Sequence, residues 1–477
     1  MVADPGSRLA HHPAWPRVLQ ICRAAAERGG CVRVVGGSVR DALLDRSFEE
    51  FDLEAFGIEP DDLDRMLADL GVRVDRVGRA FSVLKLRDIR VDIALPRREV
   101  STGTGHRDFL VSADPGMTAE EAAERRDYTI NAISYEPLAG RVDDPLGGRA
   151  DLMRGRLRHA SRRFPEDPLR VLRGMQLVAR LGLEADAATV RLCSGLDWRE
   201  LSVERVFEEW RKLLVLGVEI GAGLRFLEAT GWIEAYPELH ATVGCEQDPE
   251  WHPEGDVWTH TGYVLDAFAA ERLGDAEEDL IVGLACLCHD LGKPATTRFV
   301  DGRLRSRGHE AAGETPTRSF LARLTNRRGL VDDVVRLVVD HLKPRQLYQG
   351  GAGDAAVRRL AHRVKRIDRL VRVARADARG RPPLPPADCE DCDWLAARAE
   401  ALRVRDQAPR RLVLGRDLID RGLASGPEIG DLVDRCYQAQ LDGTFEGRAA
   451  GLRFLDSLLR RRAASGATRG SSGRAQP

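Results

Sequence analysis

"VVGGSVRDALLDRSFEEFDLEAFG" (residues 34–57) is the stretch whose reading decides the fold. An apolar run ends in Gly36-Gly37, a helical stretch carrying Arg40 follows, and a second apolar run has Glu50, Asp52 and Glu54 at alternate positions. The pattern reads strand, turn, helix, strand. Alternate strand residues point the same way, so the three acids share one face and Phe51 and Leu53 the other. Carboxylates gathered on one face repel unless a cation lies between them, and an all-oxygen set suits Mg²⁺, which brings phosphates with it. Two glycines between a strand end and a helix start leave backbone N–H groups to cradle a triphosphate, and Arg40 is one turn away from it. Alternating acids alone describe a solvent face equally well. Their placement 13 residues after the Gly-Gly pair makes the pattern specific.

Outward from this stretch, residues 16–28 read as an amphipathic helix and "PDDLDRMLADLG" (60–71) as a helix opened by Pro60. "FSVLKLRDIRVDIALP" (81–96) reads as a hairpin turning near Asp88, and it supplies one more acid, Asp92. Residues 98–120 are polar and Gly-rich, which predicts a mobile loop. Beyond residue 160 the strand signal fades. Residues 165–380 have a helical pattern with breaks near 245–256, 293–308 and 342–352. "RGRPPLPPADCEDC" (379–392) is a Pro-rich hinge, and "RRAASGATRGSSGRAQP" (461–477) has the composition of a disordered tail.

The 477 residues exceed one ordinary core, so three or more domains are expected; 43% hydrophobic and 31% charged residues fit a soluble globular chain. No apolar run is long enough for a membrane span, and the N-terminus does not have the pattern of a secretory signal. Nine scattered cysteines predict reduced thiols and a cytoplasmic home; Cys389 and Cys392 form a lone CxxC without the second pair that a zinc site needs. The net charge of −2 carries no nucleic-acid signal, but arginines cluster at 154–163 and 359–381, where they can hold phosphates or simply solvate a helix face.

Further motifs follow in order. "ERRDYTINAIS" (124–134) holds Arg125, Arg126, Asp127 and Asn131; "DDPLGGRADL" (143–152) comes next; "FPEDPLRVLRGMQLVARLG" (164–182) holds Glu166, Asp167, Arg170 and Arg173; and "LSVERVFEEWRKLL" spans 201–214. Together with "VVGGSVRDALL" and its acids, this series resembles the class II CCA-adding enzymes of the tRNA nucleotidyltransferase and poly(A) polymerase family. The resemblance implies transfer of C, C and A from CTP and ATP to a tRNA acceptor arm, with release of pyrophosphate. It also implies that the RRDxTINA-like residues bind ribose and triphosphate, that Arg173 touches the triphosphate, and that the 98–120 segment helps switch from C to A. Asp167 and Arg170, three apart on a helix starting near Glu166, would share a face and imitate a base edge, the carboxylate accepting and the guanidinium donating. Family spacing from Gly37 puts the metal ligands at 50 and 52 as Asp-x-Asp, whereas this chain has Glu50 and Asp52. Either Glu50 serves beside Asp52, or the register slips and Asp52 works with Glu54.

A second constellation comprises "WHPEGDVWTHT" (251–261), "CLCHDLGKP" (286–294), "RGHEAAG" (307–313), "VVDHLKP" (338–344) and "RADARGR" (375–381). The adjacent His-Asp pair resembles HD phosphohydrolases and the CCA enzymes that carry a fused HD module. By that resemblance His260, His289, Asp290 and Asp377 form a first metal site. His309 and His341 complete a second or grip phosphate. Mixed nitrogen and oxygen donors suit a divalent transition metal such as Ni²⁺ or Mn²⁺, and the implied chemistry is phosphatase or 2′,3′-cyclic phosphodiesterase. Lys293 could help hold a phosphate.

The expected class is α+β: a small, polymerase-β-like nucleotidyltransferase α/β head, then a long all-α neck and body that includes an HD domain. The expected division is head 1–153, neck with nucleotide selection and RNA binding 154–235, HD domain 236–385, C-terminal helical region 386–462 and tail 463–477. Rival readings are an enzyme adding only CC or only A, a hydrolase whose head has decayed into an RNA-binding module, and a purely structural RNA chaperone.

Overall fold

The computed structural model describes residues 4–77, 83–101, 109–385 and 388–470. The chain divides into two compact units, Met1–Ala235 and Tyr236–Pro477.

The first unit is built on a seven-stranded mixed sheet. Its strands are β1 (Cys31–Val35), β2 (Phe51–Phe56), β3 (Val74–Val77), β4 (Val83–Leu86) and β5 (Val91–Ala94); β6 (Arg97–Ser101) and β7 (Phe109–Ala113) form a separate ribbon; β8 (Ser134–Glu136) and β9 (Arg141–Asp143) complete the sheet. The order is β3-β4-β5-β2-β1-β8-β9. β2 lies antiparallel to β1, with Asp52 opposite Val35, and parallel to β5, with Asp52 opposite Asp92. The alternation of β2 is the predicted one: Phe51 and Leu53 are buried, whereas Asp52 and Glu54 are half-buried on the other face. The Trp15–Ala26 helix opens with Pro16 in its first turn and buries Val18, Ile21, Cys22 and Ala25. β4 and β5 form the expected hairpin. The mobile loop expected at 98–120 is corrected in part. β6 pairs antiparallel with β7, and Ala119–Glu124 is a helix held by a capping box between Thr118 and Glu121; residues 102–108 lie outside the described residues. A two-residue parallel pair, β10 (Arg156–Leu157) with β11 (Glu184–Ala185), flanks the Arg170–Leu181 helix, and helices Val203–Leu216 and Ile220–Ala229 follow.

The second unit is helical. The Ala276–Cys288 helix is buried from Asp279 to Cys288 and packs against helices Val257–Ala270, Arg328–Asp340 and Ile367–Arg379. The break at 293–308 contains a ribbon of β12 (Arg298–Val300) and β13 (Arg303–Arg305). A separate small core of Val413, Leu418, Leu432, Val433, Cys436, Leu455 and Leu458 holds the C-terminal helices. The last helix runs Arg448–Gly470, so the chain is helical where composition predicted the start of a disordered tail; residues 471–477 lie outside the described residues. Alanines at 449, 450, 463 and 464 favour that continuation. No described helix is long and apolar enough to cross a membrane.

Candidate active sites

In the first unit, the turn after β1 sets the geometry. Gly36 has φ 71° and ψ −137° and caps the Gly37–Leu43 helix. A side chain there would be strained, and its Cβ would lie 3.4 Å from Asp52 Oδ2 and 3.9 Å from Arg126 Nη1. Glycine thus lets the helix start sit directly against the acidic strand. Burial pushes the Asp52 carboxyl above the usual range; Arg126 and Arg173 pull it down, while Glu50 and Asp92 push it up further. Asp92 is also 2.9 Å from Lys85 Nζ. Glu54 differs from the other acids, because its Oε2 accepts from Arg126 Nη2 at 2.6 Å. Glu50 and Asp92 are the acids that raise the Asp52 carboxyl. A crowded, oxygen-only set around Asp52 fits a hard divalent cation.

Two cavities meet at Asp52. One, of about 410 Å³, is lined by Gly36, Gly37, Arg40, Glu50, Asp127, Asn131 and Asp167. The other, of about 480 Å³, is lined by Glu54, Asp92 and Glu166 with the apolar Leu95, Met117 and Ala122. Arg125, Arg126, Arg170 and Arg173 border both. All the head residues singled out in the sequence thus line one cavity or the other.

Hydrogen bonds connect these side chains into a chain. Arg40 Nη1 donates to Asn131 Oδ1 (2.6 Å), Asn131 Nδ2 to Asp127 Oδ1 (3.0 Å), and Arg173 Nε to Asp127 Oδ2 (2.7 Å). Burial works against the Asp127 charge, but Arg173, Asn131 and the Tyr128 N–H outweigh it and hold the pKa at about 2. Asp127 therefore positions its neighbours. Arg170 donates to the carbonyls of Arg163 (2.8 Å) and Arg125 (2.6 Å). The helical pairing expected of Asp167 and Arg170 is corrected: a 3₁₀ turn ends at Glu166, the next helix begins only at Arg170, and Asp167 is extended with φ −136° and ψ 99°. Pro168 accounts for this, because the residue before proline is pushed out of the helical region. Asp167 instead accepts from Arg205 Nη2 at 2.6 Å, a partner that sequence reasoning missed although it lies within the quoted 201–214 motif.

In the second unit, all six singled-out residues come together. His289 and His341 cap the C-termini of their helices. The Nδ1 of His289 donates to Cys286 O (2.7 Å), that of His309 to Ser306 O (2.8 Å) and that of His341 to Val338 O (2.6 Å). His260 Nδ1 faces Gly380 O (3.1 Å) and Glu254 Oε1 (2.7 Å), both acceptors, so it carries the proton. Four Nε2 atoms are left facing inward. His260 Nε2 lies 3.2 Å from Asp377 Oδ1, His289 Nε2 3.2 Å from Asp290 Oδ2, and His309 Nε2 3.2 Å from Asp290 Oδ1 and 3.3 Å from His341 Nε2. Two ligand-like groups result, His260–His289–Asp377 and Asp290–His309–His341. Buried His289 Nε2 and both Asp290 oxygens make no hydrogen bond of proper geometry. Orphaned buried donor atoms of this kind fit one or two divalent ions.

Burial opposes the Asp290 charge, but His289 and Lys293 keep its pKa well below the usual range. Burial, with His289 and His309 beside it, pushes His341 down to about 4, which keeps a lone pair available. Lys293 Nζ is 2.7 Å from Asp290 Oδ2 and 2.6 Å from Gln247 Oε1. Gly292 admits no side chain, since a Cβ would lie 2.0 Å from His309 O. Sequence reasoning missed Glu254, bonded to His252 (2.9 Å) and His260, and Arg381, 2.8 Å from Asp377. Glu254 sits inside the quoted 251–261 motif, in a stretch read only as a helix break.

Residues 32–158 match the Poly A polymerase head domain and residues 257–373 the HD domain. A multifunctional CCA protein of Stenotrophomonas maltophilia (strain K279a) is 36% identical over 417 residues, covering 84% of this chain and 96% of that protein. One of Xanthomonas campestris pv. campestris (strain B100) is 35% identical over 414 residues, covering 84% and 95%. The fold is similar to that of the Bacillus stearothermophilus CCA-adding enzyme in complex with CTP (TM-score 0.65, 21% identity, 95% of this chain and 100% of that one). It is also similar to the Thermotoga maritima CCA-adding enzyme complexed with tRNA_CCA (TM-score 0.58, 18% identity, 96% and 99%).

Proposed function

The chain belongs to the multifunctional CCA protein family, and from that premise we propose that its first unit adds C, C and A to tRNA 3′ ends from CTP and ATP. The observation that supports this most directly is the Gly36 turn set so closely against the acidic strand that a Cβ there would lie 3.4 Å from Asp52 Oδ2, bringing backbone N–H groups beside carboxylates. Glu50 and Asp52, with Asp92 beside them, would hold Mg²⁺, while Glu54 holds Arg126 in place. Bound there, Mg²⁺ supplies charge neutralisation to the reacting phosphates. The N–H groups at Gly36 and Gly37 and the guanidinium of Arg173 bind the triphosphate. The tRNA 3′-hydroxyl attacks the α-phosphorus of CTP or ATP, the bond to pyrophosphate breaks, and Asp92 takes the hydroxyl proton.

Selection follows from hydrogen-bond matching. Asp167, oriented by Arg205, accepts from the exocyclic amino group of C or A. U and G offer a carbonyl instead, and two opposed acceptors cost roughly 1–3 kcal/mol. Arginines hold the acceptor arm by its backbone and shape, so binding weakens as salt rises.

The second unit acts as a metal-dependent phosphohydrolase. His260, His289 and Asp377, with Asp290, His309 and His341, would hold divalent ions that supply Lewis-acid polarisation of a phosphate ester. Lys293 and Arg381 balance the carboxylates. A product ladder on tRNA lacking CCA tests the transferase: CTP alone gives two additions, and CTP with ATP gives three. Asp52→Asn abolishes the ladder and spares hydrolysis of 2′,3′-cyclic AMP; His289→Ala does the reverse. Incorporation that survives Asp52→Asn refutes the head assignment, and a ladder that stops at CC with both nucleotides present reduces it to CC addition.

A further inference from the structure

The cavity beside the histidines in the second unit, about 280 Å³, has a lining of two chemical kinds. Its lining includes Asp290, His309, His341 and Asp377, with Lys293 and Arg381. The same cavity is also lined by Trp251, Arg345, Leu304 and Leu342. Trp251 is 46% exposed, a large ring left in solvent, and the Arg345 guanidinium carbon stands 5.6 Å from its centroid. A phosphate site alone gives no reason for an exposed indole with a guanidinium over it. Planar aromatic ligands do, because every nucleobase has a π-face that stacks on such a pair.

Local hydrogen bonds hold the turn that carries Trp251. Trp251 lies in a turn where its N–H donates to Asp248 O (3.1 Å), and the Asp248 carboxylate accepts from Arg303 Nε (2.9 Å) on β13. Its neighbour His252 bonds Glu254, which bonds His260. Arg345 lies in the Lys343–Gln349 helix, directly after His341. Both Trp251 and Arg345 are thus tied within a few residues to groups of the histidine cluster.

We infer that Trp251 and Arg345 form a base-stacking platform that seats the nucleobase of the phosphate ester while its phosphate lies at the histidines. This rests on the phosphohydrolase reading of the second unit. The same chemistry occurs in a free nucleoside 2′,3′-cyclic phosphate and at an RNA end bearing that group.

The test compares 2′,3′-cyclic AMP with glycerol 1,2-cyclic phosphate, which has the same ring ester and no base. Trp251→Ala lowers the ratio of kcat/KM between the two by roughly ten- to hundredfold, mainly through KM for the nucleotide. Trp251→Phe keeps the ratio within about threefold, because the smaller ring still stacks. Independently of turnover, adenosine 2′-phosphate quenches tryptophan emission in the wild type, and Trp251→Phe loses that quench. A short oligonucleotide ending in the cyclic phosphate forms the second arm; a larger Trp251→Ala loss there supports the platform and names an RNA end as the source. An unchanged ratio in Trp251→Ala overturns the platform and leaves the hydrolase reading standing. A wild type that hydrolyses neither ester overturns both.

Discussion

Replacing Asp127 with asparagine removes one charge from the middle of the head network and turns one of its two acceptor oxygens into a donor. Its carboxyl is held at about 2 against an ordinary 3.8. At about 1.36 kcal/mol per pH unit, that difference corresponds to roughly 2 kcal/mol favouring the folded, ionised form. Breaking a fully buried pair costs about 3–5 kcal/mol, because the abandoned partner stays dry. Arg173, however, keeps 40% of its side chain exposed and can hydrate once released, so the lower figure applies. With a urea dependence of about 2 kcal/mol per molar, Asp127→Asn lowers the midpoint of the first unit by about 1 M at pH 7. That transition is identified in circular dichroism as the one CTP shifts upward. The folded pKa is depressed, so the stabilisation is fully present above pH 3.8 and fades as pH falls through about 2; the gap between variant and wild type closes over the same window. The KM for CTP rises as well, because Arg173 loses the tether that aims it. A midpoint within about 0.2 M of wild type at pH 7, with unchanged KM, would refute Asp127 as the group that organises the site.

The two ways of pairing Asp52 separate in a matched pair of substitutions: Glu50→Gln lowers kcat for nucleotide addition at least about a hundredfold, whereas Glu54→Gln, which only loosens Arg126, lowers it about tenfold and acts mainly on KM. Equal losses, or a larger one at Glu54, would restore the slipped register. In the second unit, His309→Ala lowers the Ni²⁺ bound per chain by one ion relative to the wild type, by elemental analysis after reloading with Ni²⁺. An unchanged count would show that His309 grips something other than a metal.

The parts of the molecule legible in the sequence were those fixed by short-range rules. Period-two alternation placed Phe51 and Leu53 inward and Asp52 outward, and a glycine pair at a strand end located the φ 71° turn. Six dispersed histidines and aspartates were brought together as the motif order implied. What escaped was set by contacts distant in sequence or by a local rule not applied. Glu54 could not be assigned until Arg126, 72 residues away, was seen to bond it. Arg205 reaches Asp167 across 38 residues. The extended Asp167 was foretold by Pro168, yet helical spacing was read straight through the proline. Glu254 lay in a stretch whose glycine and proline signalled only a break, although the break is where the chain folds its carboxylate onto His260.

The three contacts from Nδ1 to a carbonyl three residues back, at His289, His309 and His341, solve two problems at once. A carbonyl left over where a helix or turn stops needs a donor, and an imidazole needs its orientation fixed before it can serve as a ligand. Each is the other's remedy, and neither depends on an ion being there. Stripping the ions with a chelator should therefore empty the site without dismantling it: the rings stay aimed, no refolding step precedes reloading, and recovery of hydrolysis should be as fast as cations can diffuse in.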